Sequence, residues 1–138
     1  MKKKPKKKKH TSPYWIVFPG YIAGYEKNVI KRPSTIAWCK ACNHRVYICF
    51  KDRKYMKVSV CLKFMEEQLI LAVFFRTGKF YIVNMRMVES YCKYKRGYML
   101  TIKNLLGDEA GDIEIPVSEL LKADFEEKVK LFPAIMQL

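Results

Sequence analysis

Acidic side chains are scarce in this 138-residue chain. Thirteen Asp and Glu stand against twenty-seven Lys and Arg, a formal net charge of +14. Such an imbalance suits a polyanionic partner: nucleic acid, an acidic membrane surface or an acidic protein. Histidine is scarcer still, with His10 and His44 the only two. There is no Ser-His-Asp arrangement, no carboxylate pair on the basic turns and no phosphate-binding loop, so the chain reads as a non-enzyme. No apolar run approaches bilayer-spanning length, and none follows the charged start, so neither membrane insertion nor a secretory signal is expected. Cysteine is present in odd number, as Cys39, Cys42, Cys49, Cys61 and Cys92. That count reads as reduced, intracellular thiols and a cytoplasmic protein. Cys39 and Cys42 make a lone C-x-x-C with His44 nearby, but a zinc ribbon needs a second pair. We expect no metal and no cofactor.

What is present suffices for one domain. Half of the residues are hydrophobic and 14% are aromatic. Residues 1–13, MKKKPKKKKHTSP, hold seven lysines and read as a disordered basic arm that adds non-specific phosphate affinity. The domain is expected over residues 14–132, with 133–138 as a C-terminal tail. Tyr14 to Phe18 has strand composition, broken by Pro19-Gly20. Asn28 to Lys31 suggests a short strand, and Arg32-Pro33-Ser34 a turn. Thr35 to Ala41, Arg45 to Lys51 and Tyr55 to Val60 read as an antiparallel meander, looped at Cys42-Asn43-His44 and Asp52-Arg53. From Cys61 to Leu69 the period changes. Leu62, Met65 and Leu69 recur at helical spacing with Lys63, Glu66 and Glu67 outside, and Ser59 is the expected cap.

The stretch from Phe74 to Tyr91, FFRTGKFYIVNMRMVESY, organises the rest. Two aromatics and Arg76 lead into a polar turn at Thr77-Gly78-Lys79. A strand follows at Phe80 to Val83, closed by Asn84, which is expected to fix backbone. A similar run covers Met87 to Tyr91. Lys79 then stands at the tip of a loop between strands, a way to deliver a side chain into a nucleic-acid groove. Lys93 to Gly97 is a basic turn and Tyr98 to Lys103 a strand. A Gly- and Asp-rich loop spans 106–112, and a brief strand covers Ile113 to Pro116. Ser118 is positioned to cap a final helix reaching about Leu131, with Leu121, Phe125 and Val129 inward.

In this order the elements resemble the LytTR DNA-binding domain of bacterial transcription regulators. The pieces that carry the resemblance are TIAWCKACNHRVYICFKDRKYMKVSVCLKFMEEQL, FFRTGKFYIVNMRMVESY, GYMLTI and IEIPVSELL. It implies a mainly β fold: an elongated arrangement of small antiparallel sheets with two short helices. It also implies three DNA-contacting regions. The first is the loop of Asn43, His44 and Arg45, with His44 reading a base edge. The second is the turn of Thr77, Gly78 and Lys79, with Lys79 at a base-contacting position. The third is the start of the last helix at Ser118 and Glu119, and Arg96 matches a further basic position. Two departures stand out. Where the family carries a histidine and a serine around the second turn, this chain has Gly78 and Phe80. Where many members carry arginine, it has Ser118-Glu119.

Arg45, Arg76, Lys79, Lys93, Lys95 and Arg96 gather in the turns. Of these, Arg76, Lys93, Lys95 and Arg96 are expected to meet phosphates. The leading expectation is a sequence-specific double-stranded DNA-binding regulator without a receiver domain. It would bind paired repeats and be controlled by abundance, a regulatory protein partner or cysteine oxidation. The alternative is a basic RNA-binding or ribosome-associated structural protein.

Overall fold

The computed structural model describes residues 16–22, 25–31, 33–52, 54–69, 72–102 and 111–138, with side chains from residue 33 onward. The basic arm, Tyr14, Arg32, Arg53, Lys103 and most of loop 106–112 lie outside the described residues. The element order is β1 (Ile16–Ile22), β2 (Tyr25–Lys31), a 3-10 turn at Pro33–Thr35, β3 (Ile36–Cys42), β4 (Arg45–Phe50) and β5 (Tyr55–Val58). Then come α1 (Leu62–Gln68), β6 (Phe74–Arg76), β7 (Tyr81–Asn84), a 3-10 turn at Met85–Met87, β8 (Ser90–Tyr94) and β9 (Gly97–Ile102). The chain closes with β10 (Ile113–Val117), a 3-10 turn at Glu119–Leu121, α2 (Lys122–Val129) and β11 (Met136–Gln137).

The strands form two sheets, ordered β2-β1-β5-β4-β3-β7-β6 and β10-β9-β8-β11. The larger sheet is covered on both faces, because its central strands carry apolar residues on both sides. One face puts Ile36, Cys39, Val46, Ile48 and Ile82 against Leu62, Met65 and Leu69 of the α1 segment. The other puts Trp38, Cys49 and Val83 against Tyr98, Leu100, Ile115 and Val117 of the smaller sheet and against Phe125. A register shift between Ile36 and Trp38 lets β3 serve both cores, since the extra residue turns Ala37 and Trp38 together to the second face. Phe125 is fully buried, with ring centroids at 5.8 Å from Phe75 and 5.1 Å from Tyr91 and from Tyr98. Each such pair contributes about 0.5–1.5 kcal/mol beyond the area it buries.

The mainly β architecture with two short helices agrees with the sequence, and several local expectations are corrected. Pro19-Gly20 does not break the first strand, which pairs with β2 from Ile16 to Ile22. On its other side, among the described residues, β1 pairs with β5 at Gly20 opposite Val58, and a proline is tolerated where one edge of a strand is sparsely paired. Ser59 does not cap α1; Cys61 holds that position, with no side-chain hydrogen bond. Ser118 stands before the 3-10 turn, but its hydroxyl makes no cap bond. The final helix ends at Val129, and residues 133–138 contain β11, which runs parallel to β8. The backbone N–H groups of Met136 and Leu138 donate to Glu89 and Tyr91 carbonyls at 3.0 and 2.8 Å. The expected run from Met87 to Tyr91 is split: a 3-10 turn covers Met85–Met87, and the strand begins at Ser90.

Tyr98 ties the small sheet to α2. Its ring is buried and its hydroxyl donates to Glu126 Oε2 at 2.5 Å. That bond, aided by burial, pushes the phenol from its ordinary 10.0 up to about 12. A raised value favours the protonated phenol in the folded state. The stability it contributes is therefore complete below pH 10 and lost as pH rises through about 12. Chemical denaturation from pH 9 to 12 is expected to show the stability difference between the parent and Tyr98→Phe constant below pH 10 and narrowing as pH rises from 10 to about 12. A difference independent of pH would contradict the assignment.

Candidate nucleic-acid interface

The first expected contact loop is a two-residue hairpin connection. Cys42 pairs with Arg45, leaving Asn43 and His44 as the turn, with φ of 50° and 65°. Two successive positive φ values match the twist of the flanking strands, and such turns normally carry glycine at the second place. Here that place holds His44, and both Asn43 and His44 are exposed. A non-glycine residue in this region costs roughly 1 kcal/mol. His44→Gly is therefore expected to raise unfolding stability by about 1 kcal/mol, read from denaturant midpoints, while weakening recognition of a preferred duplex. Unchanged DNA preference in this variant would remove His44 from the interface.

The second tip joins β6 to β7. Phe74, Phe75 and Arg76 pair with Asn84, Val83 and Ile82, and residues 77–80 form the connection. Lys79 and Phe80 are exposed there. Arg76 shapes the tip from below: its Nε donates to the Gly78 carbonyl at 2.9 Å and its NH1 donates to Glu66 Oε1 at 3.0 Å. The guanidinium is thereby engaged with the turn and with α1. Thr77 is buried, and its hydroxyl finds no partner. Asn84, as expected, holds backbone: its Nδ2 donates to the Ile36 carbonyl at 3.0 Å and its Oδ1 accepts from Arg86 N–H at 2.9 Å.

Hydrogen bonds and pairing bring these tips to one end of the molecule. Antiparallel pairing sets Lys40, near the end of β3, opposite Tyr81 at the start of β7. The Ala41 N–H donates to the Phe80 carbonyl at 2.8 Å. On the far side of the second tip, Ser118 N–H donates to the Thr77 carbonyl at 2.9 Å. The Lys95-Arg96 turn between β8 and β9 comes next. A Cβ placed on Gly97 would lie 2.1 Å from the Val117 carbonyl oxygen, so glycine is what lets this turn close against β10. Lys95 takes a φ of 54°. Among the described residues, the non-glycine positions with positive φ are Asn43, His44 and Lys95, all in these tips. Such strain concentrates where function holds a residue in place.

The order along this end is therefore Asn43-His44, Lys79-Phe80, Ser118-Glu119, Lys95-Arg96. Lys93 lies one strand position further back, opposite Tyr98, and is exposed. Two concave regions separate the tips. One, about 650 Å³, is lined by Lys95, Arg96, Ser118 and Glu119 among others. The other, about 500 Å³, lies between residues 76–81 and the Ser118–Leu121 segment. Sequence reading missed Lys40 and Lys122, whose ammonium groups lie 5.7 and 5.9 Å from the ring centroids of Tyr81 and Tyr98. Strand alternation near the tip was the available signal for Lys40.

The C-x-x-C is not a chelating or bridging pair. Cys39 is buried and Cys42 exposed, three residues apart on one strand. That spacing is about 10 Å and points the two side chains to opposite faces. Burial, reinforced by neighbouring Cys49, pushes the Cys39 thiol far above its ordinary range, leaving it unreactive. Among the described residues no cluster of three metal-ligating side chains occurs, and no helix is long and apolar enough to cross a membrane.

The family model of the LytTr DNA-binding domain matches residues 26–130. A solved structure from Bacillus cereus, assigned as the LytTr DNA-binding domain of a methyl-accepting/DNA response regulator, superimposes with a TM-score of 0.64 at 17% identity. The alignment covers 82% of this chain and 95% of that one. No curated protein matches.

Proposed function

Since the chain belongs to the LytTR DNA-binding domain family, we propose that it reads duplex DNA through the row of tips at one end of its two sheets. The chain is a DNA-binding transcription regulator. Its base-reading residues are Asn43, His44, Arg45, Lys79 and Ser118, and Lys93, Lys95 and Arg96 approach phosphates. Arg76 serves the same interface indirectly, by holding the Gly78 carbonyl and so the pose of Lys79. The observation that supports this reading best is the continuity of the row. Backbone bonds from Ala41 to Phe80 and from Ser118 to Thr77 link three tips that are distant in sequence.

Glu119 is exposed on the same edge and repels phosphate, but it can accept from a cytosine amino group. The basic tips on either side direct backbone contacts to Lys79 and to Lys95-Arg96. Residues 1–13 supply further non-specific affinity as a basic arm. Two copies side by side on paired repeats, a cytoplasmic location and a regulatory protein partner complete the proposal. The family's function is DNA binding without catalysis, and we assign this chain no reaction. An RNA-binding or ribosome-associated structural role is not favoured by the family membership.

Selection from a random duplex pool tests the reading. The chain is expected to enrich a defined site and to prefer it over random duplex by about a hundredfold or more at physiological salt. Enrichment of no sequence would overturn the reading.

A further inference from the structure

The cleft between the second tip and the Ser118–Leu121 segment differs in chemistry from the rest of the edge. Its lining includes the apolar Phe80, Tyr81, Pro116, Leu120 and Leu121 together with Lys79 and Ser118. Two of the walls face water: Phe80 is 60% exposed and Leu120 is 93% exposed. A single exposed leucine needs no explanation. Two large apolar side chains lining one cleft, on segments joined by the Ser118–Thr77 hydrogen bond, form a local apolar patch inside a basic edge.

We infer that Phe80 and Leu120 are specificity-determining contacts that receive thymine 5-methyl groups from the major groove. The inference rests on the DNA-reading function proposed above and adds a base preference to it. Charge complementarity selects the occupant. Lys79 beside the cleft, and Lys95 and Arg96 along the same edge, favour a polyanion over an apolar peptide. Within a duplex groove, the thymine methyl is the apolar feature that a side chain of this kind recognises. Phe80 sits directly after Lys79, so a lysine donor to a guanine edge and an apolar contact to a neighbouring thymine are presented by adjacent residues. Leu120 approaches from the opposite wall. The cleft thus favours thymine over cytosine through apolar contact with its methyl group.

The test uses the full chain and the duplex it enriches from a random pool. Each thymine is replaced singly by deoxyuridine, which removes the methyl and leaves base pairing intact. Replacement at one or two positions is expected to weaken binding about fourfold each, the equivalent of about 0.8 kcal/mol for one buried methyl. The Phe80→Ala, Leu120→Ala double variant should bind the unmodified duplex more weakly and show no further loss on deoxyuridine replacement. Phe80→Leu keeps an apolar contact and should keep the response. Both side chains are largely exposed, so the fold should persist, and circular dichroism checks that it does. Three results would overturn the inference: no thymine whose replacement matters, the same response in parent and double variant, or double-variant binding equal to that of the parent. The last would assign the cleft to a different partner. Failure to enrich any duplex would instead overturn the DNA-reading function, and this inference with it.

Discussion

Deleting residues 2–9 lowers affinity for every duplex, on the order of a thousandfold at low salt, and leaves the ranking of sequences unchanged. The segment removed holds seven lysines. Each phosphate a lysine neutralises releases condensed counterions and adds about 0.9 to the slope of log affinity against log salt. With all seven engaged, the slope would fall by about six on deletion. Titrations of parent and truncated chain at several salt concentrations, on the enriched site and on a scrambled duplex, read both quantities. Phosphates are alike in every sequence, so the arm is expected to carry affinity without information. A truncation that reorders the preferred sequences would show the arm reading bases. An unchanged slope would show that it does not touch DNA.

Lys79→Ala has the complementary signature. Binding to scrambled duplex is nearly retained, while preference for the enriched site falls by roughly thirtyfold, about 2 kcal/mol. Lys79 is exposed at the β6–β7 tip, between the hairpin that carries His44 and the segment at Ser118. Arg76 fixes the carbonyl just before it, so the side chain starts from a held backbone and a base contact costs less ordering. The lost preference should map to one base-pair position, found by scoring each single substitution in the site with both proteins. A second variant separates contact from pose. Arg76→Lys keeps the charge but cannot reproduce the two-directional grip on Gly78 and Glu66. It is expected to lose part of the preference that Lys79→Ala loses, at the same base position. If Lys79→Ala weakens all duplexes equally, Lys79 meets phosphate and the reading centre lies elsewhere along the edge.

Some of this molecule was legible in residue order. Alternation in Arg45 to Lys51 and in Tyr55 to Val60 marked two strands, because successive side chains of a strand point to opposite faces. The Leu62, Met65 and Leu69 spacing marked α1 for the same reason at a different period. Asn84 was legible as a backbone-holding residue, and Leu121, Phe125 and Val129 as an inward face. Harder were features whose energy comes from partners far along the chain. Pro19-Gly20 carries a local breaker signal, yet pairing with β2 overrides it. β11 has no strand composition of its own and exists because β8 has an edge to pair with. Phe80 reads as the start of a strand, and only the register of β7 puts it in the exposed tip.

Residue order by itself determined the excess positive charge, the meander and its helix, and which turns carry basic side chains. Those are properties of composition and of contacts between near neighbours. Only tertiary structure decided that the turns share one end, since that follows from β3 pairing with β7 and from Ser118 binding Thr77, contacts spanning about forty residues. It also decided that Arg76 holds a turn instead of standing free, and that Phe80 and Leu120 line one cleft. A side chain's type is written in the chain, but what it faces is set by the register of strands that sequence separates.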